Sequence, residues 1–441
     1  MKVLILGGNP AGMSAASRIK RKAPEYEVTV LEKSGEVSYG ACGLPYYVAG
    51  INNNLDLIRV RKAPEFESAG ICVYTGCQAT GIDYERKAVT ARSGQYGEQE
   101  FSYDKLVIAT GTSPKIPPFK GAALGNIHCL KTLQDADHIR TIIEACRGNV
   151  VIVGGGYIGL EIAEACIMQK VKSVRIIEAL DAVLNVFDTE FGDAVTEELN
   201  KHNVKVQTGE FVQGFEGEDG KVTKIVTDKG TYDADLVILS IGVTPNTQFT
   251  GDIEKLKNGA IVTDTAMRTS KPDVYAVGDC ATVYHRLTKK PAFIALGTNA
   301  NKQGRLAGDS ILGKEVCFDR ALGTTMLRCM GMEFAKTGFS EKEAKNLGLN
   351  YRTRTVQARS HARYYPEPYT ITIKLVYDAD SKVILGAQIM GEKEAAWRID
   401  VFACAIDRGM TTEELGYLDL GYAPMFAGVW DAIQIAANAA K

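Results

Sequence analysis

A single cysteine, Cys42, lies between two glycines in the stretch VSYGACGLPYY, residues 37–47. Such a cysteine is either a small packed side chain or a thiolate that attacks disulfides and exchanges electrons. Gly43 and Pro45 suit the first turn of a helix, whose unpaired amides would stabilise a thiolate. The position therefore favours thiol chemistry, provided that other parts of the chain deliver electrons.

A glycine loop, GGNPAG at 7–12, is the first motif that indicates a bound nucleotide. It lies between a predicted strand at 3–6 and a predicted helix at 11–22, and a second strand at 27–31 follows. This order is the βαβ unit of a dinucleotide-binding fold. Glu32 ends the second strand, where a carboxylate can accept hydrogen bonds from ribose hydroxyls.

The residues of this loop have separate tasks. Gly7 permits the tight turn and Gly12 permits close packing of the helix on the strand. Asn9 replaces the middle glycine of the usual pattern, which weakens the loop as a nucleotide signal. Glu32, twenty residues beyond Gly12, restores that signal.

A near copy of the unit begins at a predicted strand over 149–153. A helix at 160–169 and a strand at 173–177 follow its glycine loop, GGGYIG. This loop has all three glycines of the pattern: Gly154, Gly156 and Gly159. Two such units predict two bound nucleotides.

Glu178 ends the second strand of this copy and bears on the choice of nucleotide. Its carboxylate would bond a 2′-hydroxyl and repel a 2′-phosphate, and no arginine follows directly in EALDAV. NADH is therefore favoured, while the reach of Lys172 or Arg175 keeps NADPH as an alternative.

Three further apolar runs, at 105–111, 234–242 and 273–279, read as central parallel strands that deliver loops to a ligand. Asp279 at the end of the last run can bond sugar hydroxyls or can cap a helix. From about residue 320 the pattern changes to an antiparallel hairpin, followed by helical segments that include a capping box at 411–414. We expect a separate α+β domain there.

Composition limits the partners. The 441 residues include 51 basic and 53 acidic side chains, so nothing favours nucleic acid or an anionic membrane. The ten cysteines lack paired metal-ligand spacing, and the spacing of Cys72 and Cys77 reads as coincidence, so we expect no metal site. The sequence has no secretory or membrane-spanning segment, and we expect a small-molecule partner and a cytoplasmic protein.

The motifs taken together resemble a known superfamily. GGNPAG, the ATG at 109–111, GGGYIG, the TPN at 244–246 and the VGD at 277–279 occur in the order typical of the FAD- and pyridine nucleotide-dependent disulfide reductases. SYGACGLPY at 38–46 is similar to the branch with a single redox cysteine. That branch holds coenzyme A-disulfide reductases, NAD(P)H persulfide and polysulfide reductases, NADH peroxidases and water-forming NADH oxidases.

The resemblance implies an α/β fold with two Rossmann-like three-layer domains and an α+β dimerisation domain. FAD would bind a domain formed by 1–113 and 246–319, NAD(P)H would bind 114–245, and 320–441 would form the dimer. By the same resemblance, the residues at FAD are Gly7, Gly12, Glu32, Thr110, Gly111 and Asp279. Those at NADH are Gly154, Gly156, Gly159 and Glu178, with Tyr157 and Glu161 beside the flavin, where the tyrosine covers the ring until nicotinamide displaces it.

The resemblance also assigns the catalytic work to Cys42. Dithiol members carry a second cysteine five positions on, where this chain has Tyr47, and none of the five histidines lies in their carboxy-terminal HP motif. Cys42 would then cycle as a mixed disulfide or as a sulfenic acid. Tyr364 and Tyr422 of the partner subunit would approach it in a homodimer, with the adjacent Tyr365 as an alternative to Tyr364.

Coenzyme A, as bound thiol or substrate, needs phosphate partners. Arg18, Arg21 and Lys22 share one helix face, and Ser14 and Ser38 match ligand-contacting positions of the family. Ala41 departs from an asparagine in some coenzyme A-disulfide reductases. Three nearby cations could compensate or could form a solvated basic face: Arg59, Arg61 and Lys62.

The sequence therefore predicts a homodimeric flavoprotein that uses NAD(P)H to reduce coenzyme A disulfide, coenzyme A persulfide or polysulfide through Cys42. The first alternative is an NADH oxidase or peroxidase that cycles through a sulfenic acid. A second is a redox-sensing or coenzyme A-binding protein that uses its nucleotides structurally.

Overall fold

The computed structural model describes residues 1–95 and 97–441. The chain forms two compact units. Unit 1 comprises Met1–Leu44, Asn52–Lys115 and Val243–Ala321. Unit 2 comprises Pro45–Ile51, Ile116–Gly242 and Leu322–Lys441.

The described residues combine βαβ units with runs of consecutive strands. The strands are β1 (Lys2–Leu6), β2 (Glu27–Glu32), β3 (Ile71–Thr75), β4 (Cys77–Asp83), β5 (Ala88–Ser93), β6 (Gly97–Ser102), β7 (Lys105–Ile108), β8 (Thr112–Pro114), β9 (Ile127–His128), β10 (Asn149–Val153), β11 (Ser173–Ile177), β12 (Val204–Gln207), β13 (Val212–Glu218), β14 (Lys221–Thr227), β15 (Thr231–Asp233), β16 (Leu236–Leu239), β17 (Val243–Pro245), β18 (Val274–Ala276), β19 (Val283–Tyr284), β20 (Pro291–Ala292), β21 (Thr325–Cys329), β22 (Met332–Gly338), β23 (Tyr351–Arg359), β24 (Thr370–Asp378) and β25 (Ile384–Gly391). The helices are α1 (Pro10–Lys22), α2 (Leu44–Val48), α3 (Ala63–Glu67), α4 (Leu133–Cys146), α5 (Tyr157–Met168), α6 (Thr189–Lys201), α7 (Gly297–Ile311), α8 (Glu341–Asn346), α9 (Ile399–Arg408), α10 (Thr412–Gly416) and α11 (Ala432–Ala439).

Unit 1 is built on a parallel sheet in the order β18-β7-β1-β2-β3, with an antiparallel meander β4-β5-β6. Buried aliphatic side chains of β1, β2 and β7 form its core with the apolar face of α1. Helices α1 and α7 pack closely because Gly304 has no side chain; a Cβ there would lie 2.1 Å from the Ala11 carbonyl oxygen.

Unit 2 repeats this plan and adds a further sheet. Its parallel sheet has the order β12-β11-β10-β16-β9, and the meander is β13-β14-β15. The C-terminal part forms an antiparallel sheet in the order β21-β22-β25-β24-β23, against which α9 and α11 pack. The predicted fold class, two Rossmann-like α/β parts with an α+β C-terminal part, is confirmed.

Most predicted elements lie within a few residues of the observed ones. Cys72 is exposed on β3, where only Ile71 is buried, and Cys77 is buried on the next strand. Within the described ranges, none of the helices combines the length and apolar character needed to cross a bilayer.

Candidate functional site

Three loops of unit 1 leave the carboxyl ends of the neighbouring strands β18, β7 and β1. The first glycine loop follows β1, and Thr110 and Gly111 follow β7. Asp279 lies in a 3-10 turn, Gly278–Cys280, just beyond β18. Because parallel strands end at one edge of a sheet, these residues meet where open α/β sheets bind their ligands.

Backbone atoms pack so closely at two glycines of the first loop that no side chain would fit there. A Cβ at Gly7 would lie 2.2 Å from the Ala109 carbonyl oxygen, and one at Gly12 would lie 1.9 Å from that of Gly7. Glu32 lies at the end of β2, and its carboxylate accepts hydrogen bonds from the Gly8 amide at 2.7 Å and the Ser34 amide at 2.8 Å. A carboxylate has further lone pairs, so Glu32 can also accept from ribose hydroxyls.

Asn246 of the TPN motif is hydrogen-bonded to the ATG loop. The Thr110 hydroxyl donates to the Asn246 carbonyl at 2.7 Å, and the Asn246 amide side chain donates back to the Thr110 carbonyl at 2.9 Å. Gly111 has φ +62° and open space where a side chain would be. The motif thus fixes a loop that leaves room for a ligand.

Asn9, which departs from the usual glycine, holds the segment that carries Cys42. Its side-chain oxygen accepts a hydrogen bond from the Tyr39 amide at 3.2 Å. The Ser38 amide donates to the Gly8 carbonyl at 2.8 Å, and Ser38 has φ +49°. Cys42 follows in a 3-10 turn, Ala41–Gly43, and is exposed. The cysteine turn is therefore anchored directly on the first glycine loop.

An ion pair secures the same segment from its other side. Arg59 donates to both carboxylate oxygens of Glu36, at 2.9 and 2.5 Å, and to Asp56 at 2.7 Å. The hydrogen bond from Arg59 lowers the pKa of Glu36. Arg61 lies over the Phe66 ring at 4.0 Å. Arg59 and Arg61 thus have protein partners, which weakens their sequence-based role as phosphate ligands.

In unit 2, Glu178 repeats the position of Glu32. Its carboxylate accepts from the Gly155 amide at 2.7 Å and the Leu180 amide at 2.9 Å. Cβ atoms at Gly154 and Gly159 would meet backbone at 2.6 and 2.1 Å, whereas Gly156 faces open space. The open glycine is the one that lets a pyrophosphate approach the backbone.

Lys172 and Arg175 are the two cations that could bind the 2′-phosphate of NADPH. The Arg175 guanidinium lies over the Tyr232 ring at 4.0 Å. Lys172 precedes the first residue of β11, while Glu178 follows its last, so the two lie at opposite ends of that strand. Neither faces the position where a 2′-phosphate would meet Glu178.

Tyr157 and Glu161 lie on α5, one turn apart, so they share a face. Burial raises the pKa of Tyr157 to about 12, against a smaller opposing effect of its hydrogen bond with Thr325. Burial, with a further contribution from Glu164, raises the pKa of Glu161 to about 7. A protonated Glu161 and a neutral Tyr157 are both hydrogen-bond donors near neutral pH.

The basic face of α1 is only partly available. Arg18 is paired with Asp309 of α7 through bonds of 3.0 and 2.7 Å, whereas Arg21 and Lys22 are exposed. The Ser14 hydroxyl accepts a hydrogen bond from the Asn301 side chain at 3.1 Å. Asn301 was not predicted from the sequence, although Gly304 and Gly308 on α7 signal a helix that packs closely on another.

In the C-terminal part, the Tyr364 and Tyr422 hydroxyls are hydrogen-bonded to each other. Tyr364 is 74% exposed and Tyr422 46% exposed. The hydrogen bond with Tyr364 raises the pKa of Tyr422. The two tyrosines that the resemblance singled out therefore form one pair of phenols on the surface of unit 2.

Tyr47, at the position of the second cysteine in dithiol enzymes, has a structural partner. Its hydroxyl donates to Asp137 of α4 at 2.8 Å, and Arg140 lies over its ring at 4.7 Å. The phenol therefore docks α2 onto α4 within unit 2.

Family models match nearly the whole chain. The model described as pyridine nucleotide-disulphide oxidoreductase matches residues 1–304, and its dimerisation domain matches residues 328–433. The chain belongs to the pyridine nucleotide-disulphide oxidoreductase family. The resemblance stated from the motifs is thus confirmed, and the protein is an oxidoreductase of an FAD- and NAD(P)H-dependent family.

Relatives of this oxidoreductase carry two kinds of name. A CoA-dependent NAD(P)H sulfur oxidoreductase of Pyrococcus abyssi is 38% identical, over 100% of this chain and 98% of its own. An NADH oxidase of Lactococcus lactis is 35% identical over 100% of both chains. The structure of an NAD-dependent persulfide reductase from A. fulgidus superposes with a TM-score of 0.96 at 36% identity, covering 99% of this chain and 82% of that one.

The described residues fit the cofactors of this oxidoreductase family. In unit 1, Gly111 leaves open space at the sheet edge where β2 ends in Glu32 and a 3-10 turn carries Asp279, as a flavin dinucleotide requires. In unit 2, the open Gly156 and the strand-end Glu178 fit a pyridine nucleotide. The individual roles of these residues are proposals, taken up below.

The Arg59–Glu36 pair gives a pH-dependent prediction. The lowered pKa of Glu36 means that the pair stabilises the fold above the unfolded value of about 4.3, and that this contribution is lost as the pH falls through the folded value. We expect Arg59→Met to lower stability at pH 7 by about 1 kcal/mol. The difference from the parent should shrink below about pH 4.

Thermal unfolding of the holoenzyme between pH 7 and pH 3 measures this difference. Glu36→Gln and the double variant isolate the pair from the contact with Asp56. Arg92→Met, in a more exposed pair, is the control. A difference that stays constant with pH would contradict the account.

Proposed function

We propose that the protein is an NAD(P)H-dependent flavoprotein that reduces coenzyme A disulfide, coenzyme A persulfide or polysulfide through Cys42. The observation that carries the proposal is the exposed sulfur in a turn that Ser38 and Tyr39 hold on the first glycine loop. An exposed thiolate in a fixed position can attack a disulfide from solvent. For the domains we propose the division expected from the sequence: 1–113 with 246–319 for FAD, 114–245 for NAD(P)H and 320–441 for dimerisation.

One cysteine is sufficient to reduce a disulfide to two thiols. The Cys42 thiolate attacks one sulfur of the substrate disulfide, forms a mixed disulfide and releases the other half as a thiolate. The FAD that the Glu32 and Asp279 loops would hold would supply the electron pair of NAD(P)H to the mixed disulfide. Cys42 is then a thiolate again, and the second thiol leaves after taking up a proton.

The tyrosine pair would supply protons to the leaving thiolates. A phenol is an acid of suitable strength for a thiolate acceptor, and a second phenol bonded to it stabilises the phenolate that remains. In a homodimer, Tyr364 and Tyr422 of one subunit would complete the site of the other. Exposed apolar side chains of the dimerisation domain support such an interface: Trp397, Tyr417, Phe426, Val429 and Trp430.

Coenzyme A is the thiol that the charges support best. Arg21 and Lys22 are exposed, and Ser14 and Asn301 lie on the same side of the α1–α7 pair. These groups are suited to the phosphates and hydroxyls of a nucleotide thiol. Ser38, next to the cysteine turn, would contact the ligand nearer its sulfur. The CoA-dependent name of the P. abyssi relative agrees with this assignment.

The alternative is reduction of oxygen or peroxide with Cys42 as a sulfenic acid, in line with the name of the L. lactis relative. That cycle needs no site for a large thiol and no surface acid for a thiolate. The phenol pair and the basic face of α1 therefore favour the disulfide. We also propose a cytoplasmic location, where thiols are kept reduced.

Replacement of Cys42 tests the proposal. In Cys42→Ser, we expect turnover of coenzyme A disulfide with NADH under argon to fall at least about a thousandfold, because the covalent nucleophile is gone. NADH should still bleach the flavin band. Cys72→Ser, another exposed cysteine of unit 1, is the control. Undiminished disulfide turnover would refute the role of Cys42, and faster turnover with oxygen than with any disulfide would favour the alternative.

The phenol pair gives a second test. We expect Tyr364→Phe and Tyr422→Phe each to lower kcat for coenzyme A disulfide by about a hundredfold, because general acid catalysis is lost. Tyr365→Phe should leave kcat within about twofold. Parallel measurement of oxygen consumption shows whether the loss is specific to thiol release. An effect of Tyr365→Phe alone would transfer the role to that residue.

We propose NADH as the preferred donor, because the Glu178 carboxylate, held by the Gly155 amide, would bond a ribose 2′-hydroxyl, and Arg175 lies over the Tyr232 ring. In Glu178→Ala, the preference for NADH over NADPH, measured as the ratio of the two kcat/KM values, should fall about tenfold or more. The exposed Glu216 of the same domain provides the control, Glu216→Ala. An unchanged ratio would show that other residues select the nucleotide.

A further inference from the structure

A row of polar side chains crosses the buried face of the C-terminal sheet. In the antiparallel register, Thr325 lies opposite Lys336, Lys336 opposite Gln388, and Gln388 opposite Lys374. Lys336, Gln388 and Lys374 are at most 7% exposed. Lysines are rarely buried without partners, so the row needs an explanation.

One end of the row holds Asp188, the N-cap residue just before α6. Gln388 donates to the Asp188 carboxylate at 2.5 Å and accepts from the Asp188 amide at 2.7 Å. The Lys374 ammonium lies 3.1 Å from the same carboxylate, 2.6 Å from Glu190 and 2.7 Å from Glu341. One cation therefore bridges three carboxylates and weakens the repulsion among them.

Asp188 is connected to the second glycine loop by a short buried segment. The Phe187 amide donates to the Leu184 carbonyl at 2.9 Å, and the Leu184 amide donates to the Gly155 carbonyl at 2.8 Å. Val183 packs so closely on Gly155 that a Cβ there would lie 2.5 Å from its methyl group. A shift of Asp188 would therefore be transmitted to the loop that Glu178 also holds.

The other end of the row reaches Tyr157, the first residue of α5. The Thr325 side chain is hydrogen-bonded with the Tyr157 phenol, and the neighbouring Lys336 is paired with Glu343 at 2.7 Å. The row thus contacts both elements that flank the open Gly156: the start of α5 and the segment that ends at Asp188.

We propose that Lys374 is a positioning residue for the pyridine nucleotide: from the C-terminal sheet, it fixes Asp188 and hence the second glycine loop in the geometry for hydride transfer. This rests on the proposed function in one respect, that the second unit binds the nucleotide. Lys374 itself touches neither the loop nor Tyr157. Its effect should be confined to the half-reaction that uses NADH.

The test is Lys374→Met, which keeps the length of the side chain and removes its charge. We expect KM for NADH to rise, and the anaerobic rate of flavin reduction at low NADH to fall, by about tenfold or more. Oxidation of the dithionite-reduced enzyme by coenzyme A disulfide should stay within about twofold of the parent. Lys345→Met, an exposed lysine on α8, is the matched control and should change neither.

A rescue variant separates positioning from general stability. Adding Glu190→Gln and Glu341→Gln to Lys374→Met removes the uncompensated repulsion and should restore most of the NADH rate. If Lys374→Met does not fold, Gln388→Met, which removes both hydrogen bonds between Gln388 and Asp188, is judged by the same criteria. A lower unfolding temperature with unchanged NADH kinetics, or equal losses in both half-reactions, would overturn the inference.

The same flavin-reduction experiment distinguishes an error in the proposed function from an error in the role of Lys374. If NADH does not bleach the flavin of the parent protein, the assignment of the second unit is wrong. If the parent is bleached and the charge variants are bleached equally fast, only the role of Lys374 is wrong.

Discussion

The attachment of the cysteine turn to the first glycine loop is the constraint on which the account depends. Hydrogen bonds from the Ser38 and Tyr39 amides to Gly8 and Asn9 fix the backbone of a segment that has no regular sheet partner. The Arg59–Glu36 pair closes the other side of that segment. A redox sulfur must lie at a set distance from its electron source, and short backbone bonds hold position better than flexible side chains.

The two nucleotide-binding units hold their glycine loops in part by the same contact and in part by different ones. In each, a strand-end glutamate accepts a hydrogen bond from the amide of the second glycine in the loop, Gly8 or Gly155. In unit 1 the loop also carries the cysteine segment. In unit 2 the loop is backed by the segment that ends at Asp188, and buried charges of the C-terminal sheet hold that residue in turn. The C-terminal part therefore does more than offer a surface for a second subunit.

The sequence predicted the glycine loops and the acids at the strand ends because those signals are local. Glycines at fixed spacing and an acid some twenty residues later report on one βαβ unit. It did not predict that Arg18 would be neutralised by Asp309, since the partners are 291 residues apart. The burial of Lys374 was equally hard to predict. The near-alternation of apolar and polar residues in TITIKLVYD suggests one solvated face, but β24 is buried on both faces over Ile371 to Tyr377. Partners supplied by distant segments leave no pattern in the strand itself.

The central claim is that Cys42 alone carries the substrate sulfur between oxidation states. The most direct measurement is the intact mass of the NADH-reduced protein after anaerobic addition of excess coenzyme A disulfide, with the modified peptide then identified. The account predicts one coenzyme A on each chain, in a disulfide with Cys42, that a further equivalent of NADH removes. An unmodified Cys42 after turnover, or coenzyme A on another cysteine, would contradict it.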